Sequence, residues 1–175
     1  MRKFHIGMRK LKSLVAVSFS FIIWQIIRIF LPVLEIHPVF AYIYAIIEMR
    51  ETPEKTKDFG GRRIKATFIG LVIGLLFVTL SIFISQFVSS QWLSILAEFL
   101  VILIAALCAL CIAEVLGCKN FCGIAAIIAV ICMVSHSGED RYLYAIMRVL
   151  QTLIGVFSAM TVNVLIKKKE SENDE

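Results

Sequence analysis

The sequence has little that is polar. Of its 175 residues, 18% are charged and 59% are hydrophobic, with a mean hydropathy of +0.88. Soluble domains are nearer about 45–50% apolar. The longest polar stretch covers only about residues 50–65, which leaves no room for a soluble catalytic domain. There is no phosphate-binding glycine loop, nucleophile elbow, zinc-protease motif or pair of catalytic carboxylates. An enzyme is therefore not expected, nor a cofactor. The net charge is +5, but the lysines and arginines come in short pieces between apolar runs. A nucleic-acid binder would cluster them on a folded polar surface, so no nucleic-acid partner is expected. The five cysteines include one C-x-x-C, Cys108 and Cys111, inside an apolar run, and the pair Cys118 and Cys122. No second such pair and no histidine pair completes a zinc site. They read as small apolar residues of membrane helices, with no metal.

What the chain does have is long apolar runs. A spanning helix needs about 20 largely apolar residues, and six candidates emerge at roughly 12–33, 37–50, 64–87, 91–116, 119–136 and 142–166. The second and fifth are short. No small-residue cleavage motif ends the first run, so it reads as an uncleaved span. Residues 1–11 form a cytoplasmic N-terminal segment, 12–166 the membrane domain and 167–175 a charged cytoplasmic tail, expected to be disordered. Six spans place 15 of the 18 Lys and Arg on the side of both termini and leave only Arg28, Arg141 and Arg148 opposite. Cytoplasmic segments are the basic ones, so both termini are expected inside, at the plasma membrane. Trp24, Trp92, Tyr142 and Tyr144 fit interfacial anchors, and His37 and His136 fall in outer loops.

A weak internal repeat runs through the chain. At an offset of 85, Arg63, Thr67 and Gly70 fall on Arg148, Thr152 and Gly155, and Gly74 on Ala159. Upstream, "FAYIYAIIEM" falls near "IAAIIAVICM" at an offset of 84. A three-span repeat inserts its second copy upside down, a feature of transporters. The expected fold is thus an all-α membrane protein of six transmembrane helices in two inverted three-helix repeats.

Steps of three and four residues track one helix face, so Arg63, Thr67, Gly70 and Gly74 share a stripe, as do Arg148, Thr152, Gly155, Ala159 and Asn163. Small residues let another helix approach and threonine can hydrogen-bond across the contact. Helix packing is one reading. The other is that the stripes face each other and line a substrate path, with Arg63 at the inner mouth and Arg148 at the outer one. Guanidinium groups bind carboxylates in bidentate fashion. Glu98 is a candidate partner for Arg148, and Glu48 for Arg62 or Arg63. Either carboxylate could instead couple protons. Arg28 lies near the outer end of the first span, where it can snorkel to headgroups.

These residues carry a resemblance. "RRIKATFIGLVIGLLF" resembles the Arg-x-x-Gly-Thr-x-x-Gly signature that opens the third span of the fusaric acid resistance-like (FUSC) proteins, also called aromatic acid exporters. "HPVFAYIYAIIEMRETPEKT" resembles their short second span and polar loop, and "RVLQTLIGVFSAMTVNVLI" their sixth span, with Arg148, Thr152, Gly155 and Asn163 at matching positions. Ala66 replaces the first glycine of the signature. The resemblance implies a six-helix inner-membrane bundle that works in pairs and exports organic anions such as aromatic carboxylic acids. Longer members carry a cytoplasmic helical domain or a second six-span half, which these 175 residues do not include, so a homo-oligomer in the bilayer is expected. The other reading is a non-transporting membrane scaffold or regulatory subunit.

Overall fold

The computed structural model describes residues 8–30, 37–88, 90–134 and 140–173. Among them are six α-helices and no strand: α1 (Met8–Phe30), α2 (Val39–Ile47), α3 (Pro53–Phe87), α4 (Gln91–Val115), α5 (Cys122–Val134) and α6 (Asp140–Asn173), with a 3-10 turn (Lys119–Phe121) leading into α5. Four stretches are long and apolar enough to cross a bilayer: α1, α3, α4 and Tyr142–Ile166 of α6. With nine and 13 residues, α2 and α5 reach only about 13 and 20 Å, short of a hydrocarbon core of about 30 Å. The chain is a multi-pass membrane protein. His136, Arg2 and Lys3 lie outside the described residues, as do Asp174 and Glu175.

Local chemistry sets the helix ends. Before α3, the Thr52 hydroxyl accepts the Lys55 N–H at 3.3 Å. Pro53 then takes the first helical position, where its missing N–H costs nothing, and Glu54 in the first turn complements the helix dipole. The helix thus starts at Pro53, well before the apolar run from 64, and Arg63 lies within it. At the other end of α4, Gly117 has φ +79°; its N–H bonds Glu114 O at 3.0 Å and the Cys118 N–H bonds Ala113 O at 2.8 Å. This is the Schellman pattern, which glycine adopts without steric cost. The tail expected to be disordered is helical to Asn173: neither glycine nor proline follows Gly155 to stop α6.

The chain divides into two compact units. The first comprises residues 1–61 and 150–175, so it holds α1, α2, the start of α3 and most of α6. One buried stripe of α1, Lys12, Ala16, Ser20 and Trp24, faces inward at four-residue steps. Trp24, only 1% exposed, is therefore a packing residue of this face and not an interfacial anchor. Ala16, Ala45, Met49, Ala159 and Val162 form a core, with Ile166 packed on it. The Arg9 side chain donates Nε–H to Met49 O at 3.1 Å. The end of α2 thus lies beside the start of α1, and the end of α6 joins them. Short as it is, the second segment returns the chain to the side on which α1 begins.

The second unit is residues 62–149: the rest of α3, α4, α5 and the start of α6. Its core joins Val78, Val101, Ala105, Ile128, Cys132, Met133 and Ala145. Thr79 and Tyr142 share a hydroxyl hydrogen bond of 3.1 Å across α3 and α6. On α4 the buried residues are small or short, Val101, Ala105, Ala109 and Ala113, while Leu96, Leu100, Leu103 and Leu107 are exposed. On α3, Phe68, Val72, Leu76, Leu80 and Phe83 face outward at three- and four-residue steps. Such sorting suits lipid, which is as apolar as leucine, so large side chains gain nothing by burial and small ones let helices approach. Trp92, 83% exposed at the start of α4, stands where an interfacial anchor belongs.

Alkaline phosphatase fused after Lys57 or after Asn173 should give the same sidedness signal, and fused after Val88 the opposite one. Different signals from the first two fusions would refute the shared end of α1, α2 and α6.

Candidate functional site

In the second unit the α3 stripe is covered along its length by α5 and the turn before it. Arg63 is 7% exposed, and its guanidinium carbon lies 5.9 Å from the Phe121 ring centroid, within cation–π reach. One turn on, Thr67 is 1% exposed, and its hydroxyl has no hydrogen-bond partner among the described residues. A Cβ added to Gly70 would meet the backbone of Ala125, with Cα at 3.0 Å and the carbonyl oxygen nearer still. At Gly74 it would meet Ala129 Cα at 3.1 Å and Cys132 Cβ at 2.9 Å. Rising residue numbers on α3 match rising numbers on α5, so the two helices run parallel and in backbone contact. Arg148, half-buried on α6, holds its guanidinium 4.4 Å over the Tyr144 ring.

The first unit repeats this contact with different partners. A Cβ on Gly155 would meet the Ala41 carbonyl oxygen, Tyr44 Cβ at 2.8 Å and Ala45 N at 3.1 Å. Helix α6 therefore rides on α2 as α3 rides on α5. Here the contact is bracketed by hydrogen bonds. Gln151 donates Nε2–H to His37 O at 3.2 Å, before α2. Asn163 donates Nδ2–H to Arg50 O at 3.1 Å and to Thr56 Oγ1 at 2.7 Å, after it. Thr56 Oγ1 also accepts the Arg50 N–H at 3.2 Å and donates to Thr52 O at 3.1 Å, which fills a hydroxyl's one donor and two acceptor positions. A short helix in a membrane has many backbone groups outside its own ladder, and those must be satisfied inside the protein. Gln151 and Asn163 do this at the two ends of α2.

A polar layer surrounds this clamp. Glu48, Thr56, Gln151, Thr152, Ser158 and Asn163 are each 0% exposed. The Glu48 carboxylate lies beside Gly60, 4.0 Å from where a Cβ would stand, and Val156 and Met160 fill the same space. The positions 85 residues from Gln151, Ser158 and Asn163 are the apolar Ala66, Ile73 and Val78, while Thr152 is matched by the buried Thr67.

Of the residues singled out in the sequence, Thr152, Gly155, Asn163 and Glu48 come together in the first unit, and Arg63, Thr67, Gly70 and Arg148 belong to the second. Arg28 is exposed in the last turn of α1. Glu98 lines an open crevice of 220 Å³ with Ser81, Ser85 and Ser94. The sequence reading missed Gln151, Ser158 and Thr56. Their signal was polarity inside an otherwise apolar helix, visible in "VLQTLIGVFSAMTVNVL", but the repeat drew attention only to residues with a counterpart.

A family model described as fusaric acid resistance protein-like matches residues 15–162, from within α1 to within α6. No curated protein and no solved structure matches the chain.

Gly70→Ala and Gly155→Ala should each destabilise by about 1–3 kcal/mol through overpacking against backbone. Gly61→Ala, with nothing within 4 Å of the added carbon, should be neutral or stabilising by up to about 1 kcal/mol from helix propensity. Asn163→Leu should cost about 1–3 kcal/mol by removing its bonds to the Arg50 carbonyl and to the buried Thr56 hydroxyl. Thermal unfolding in detergent measures all four. Equal behaviour of the three glycine variants would show that close approach is not what those positions serve.

Proposed function

Since the chain belongs to the fusaric acid resistance protein-like family, we propose that it is a plasma-membrane transporter that exports or conducts organic anions, aromatic carboxylates among them. The observation that carries this reading is the place of Arg63, inside a membrane-crossing helix, ten residues from its start and 7% exposed. Arg63 precedes the apolar run of that helix and is nonetheless buried in protein. Such residues mark substrate and ion pathways, and a guanidinium beside a buried hydroxyl, Thr67, suits a carboxylate. Arg63 charges the cytoplasmic mouth and Arg148 the outer one. Thr67, Thr152 and Asn163 supply hydrogen-bonding groups along the stripes, and Gly70 and Gly155 fix how closely the neighbouring helix walls approach. Glu98 and Glu48 serve as ion-pair or proton-coupling carboxylates, and Arg28 reaches the outer headgroups.

The architecture belongs to the same proposal: two inverted three-helix repeats. What supports it is the match between contacts. Gly70 and Gly155 are 85 apart, their partners Ala125 and Ala41 are 84 apart, and each glycine meets its partner's carbonyl. Cytoplasmic termini are supported by the basic segments and by the Arg9–Met49 bond, which returns the loop after α2 to the side of the N-terminus. A homo-oligomer is part of the reading, since so small a bundle gains from a second copy in enclosing a path.

Reconstituted in vesicles, the wild-type chain should move benzoate-like carboxylates. Arg63→Ala and Arg148→Ala should each lower flux about ten-fold or more, the scale of one charge-assisted hydrogen bond. Arg63→Lys should keep part of it. No flux from folded wild-type protein across a panel of carboxylates would overturn transport in favour of a scaffold role. Flux indifferent to both arginines would overturn their assignment.

A further inference from the structure

At the end of the first unit where α1 begins, three cations from three segments line one cavity of 290 Å³: Arg9 of α1, Arg50 of the loop after α2, and Lys55 of α3, with Phe59 and Glu51. Two of them are held in place. Arg9 spends its Nε–H on Met49 O at 3.1 Å, which leaves the outer nitrogens of its guanidinium. Arg50 stacks its guanidinium carbon 4.4 Å from the Phe59 ring centroid. Its backbone is fixed on both sides, N–H to Thr56 Oγ1 and carbonyl from Asn163. Its Nε is buried with no hydrogen-bond partner among the described residues. Lys55 stands 3.6 Å from Glu51, so that pair is close to neutral and the two guanidinium groups give the cavity its charge.

We propose that this cavity binds a phosphate group, that of an anionic lipid headgroup. Planar guanidinium forks match phosphate oxygens, and a donor already held in position loses little freedom on binding. The size admits a headgroup phosphate, with no need to enclose acyl chains. The position favours lipid over dissolved phosphate. Arg9 is the second residue of a membrane-crossing helix, and Leu11, Leu14 and Val15 are exposed within its next two turns. Basic pockets between helix ends at the membrane surface recognise lipid headgroups in this way. The site is separate from the proposed anion path and does not depend on it.

The test uses the full chain in phosphatidylcholine nanodiscs, with thermal unfolding followed as phosphatidylglycerol is included or as inorganic phosphate replaces chloride at constant ionic strength. Phosphatidylglycerol should raise the unfolding temperature of the wild type. Arg50→Gln should remove most of that shift and weaken binding about ten-fold, and Lys55→Gln should reduce it if the Arg50 variant fails to fold. Lys57→Gln, the same charge change at an exposed residue outside the cavity, should keep it. A shift with inorganic phosphate alone would keep the site and assign it to soluble phosphate. No shift with either probe, or an equal loss in the Lys57 variant, would overturn the proposal.

Discussion

In a bilayer, burying leucine gains nothing over leaving it in lipid, so helices must find another reason to associate. Here the reason is contact between backbones. Gly70 meets the backbone of α5 at Ala125, and Gly155 meets the backbone of α2 at Ala41, each with no space for even a methyl group. Around these contacts the interior is built of alanine, with Ala41, Ala45, Ala125, Ala129 and Ala159 fully buried. The large apolar residues are left facing out. The inside and outside of a soluble protein are thereby exchanged in size, though not in polarity.

The polar groups then have a structural logic of their own. Two short helices need long ones to hold them. In the first unit α6 does so chemically, reaching past both ends of α2 with Gln151 and Asn163. In the second, α5 is longer by a turn, and its own Ile128, Cys132 and Met133 pack against Val78, Val101 and Ala145. The two units thus differ in the polar groups they bury. The first carries a buried carboxylate, amides and hydroxyls, with Gln151 at one end of α2 and Asn163 at the other. The second carries two arginines braced against aromatic rings.

Hydropathy in the sequence was enough to find the long apolar helices, because bilayer thickness sets helix length. The polar turns of α3 before its apolar run are invisible to it, since a window of apolar residues cannot see a polar helical turn; the capping threonine, the proline and Glu54 are the legible signal there. The burial of Arg63 was not legible, because the 3-10 turn and α5 that cover it are distant in sequence. The small residues of the stripes were legible as small, but what they touch was not: Ala125 and Ala41 are distant in sequence from Gly70 and Gly155. Trp24 shows the opposite failure. An aromatic near a helix end looks like an anchor until the inner stripe of Lys12, Ala16 and Ser20 shows which way it points.

The division into units also bears on how the chain is assembled. The second unit is one continuous segment, residues 62–149, whereas the first needs both ends of the sequence. As the chain emerges from the ribosome, α3, α4 and α5 can begin to pack as soon as they are inserted. Through that interval α2 has no α6 to bond the carbonyls of His37 and Arg50, and it waits at the membrane with those groups unsatisfied. Closing this long loop in sequence comes last, and segments left open so late are the ones most exposed to misassembly. The clamp that stabilises the finished protein therefore also marks the stretch of its synthesis at which it is most vulnerable.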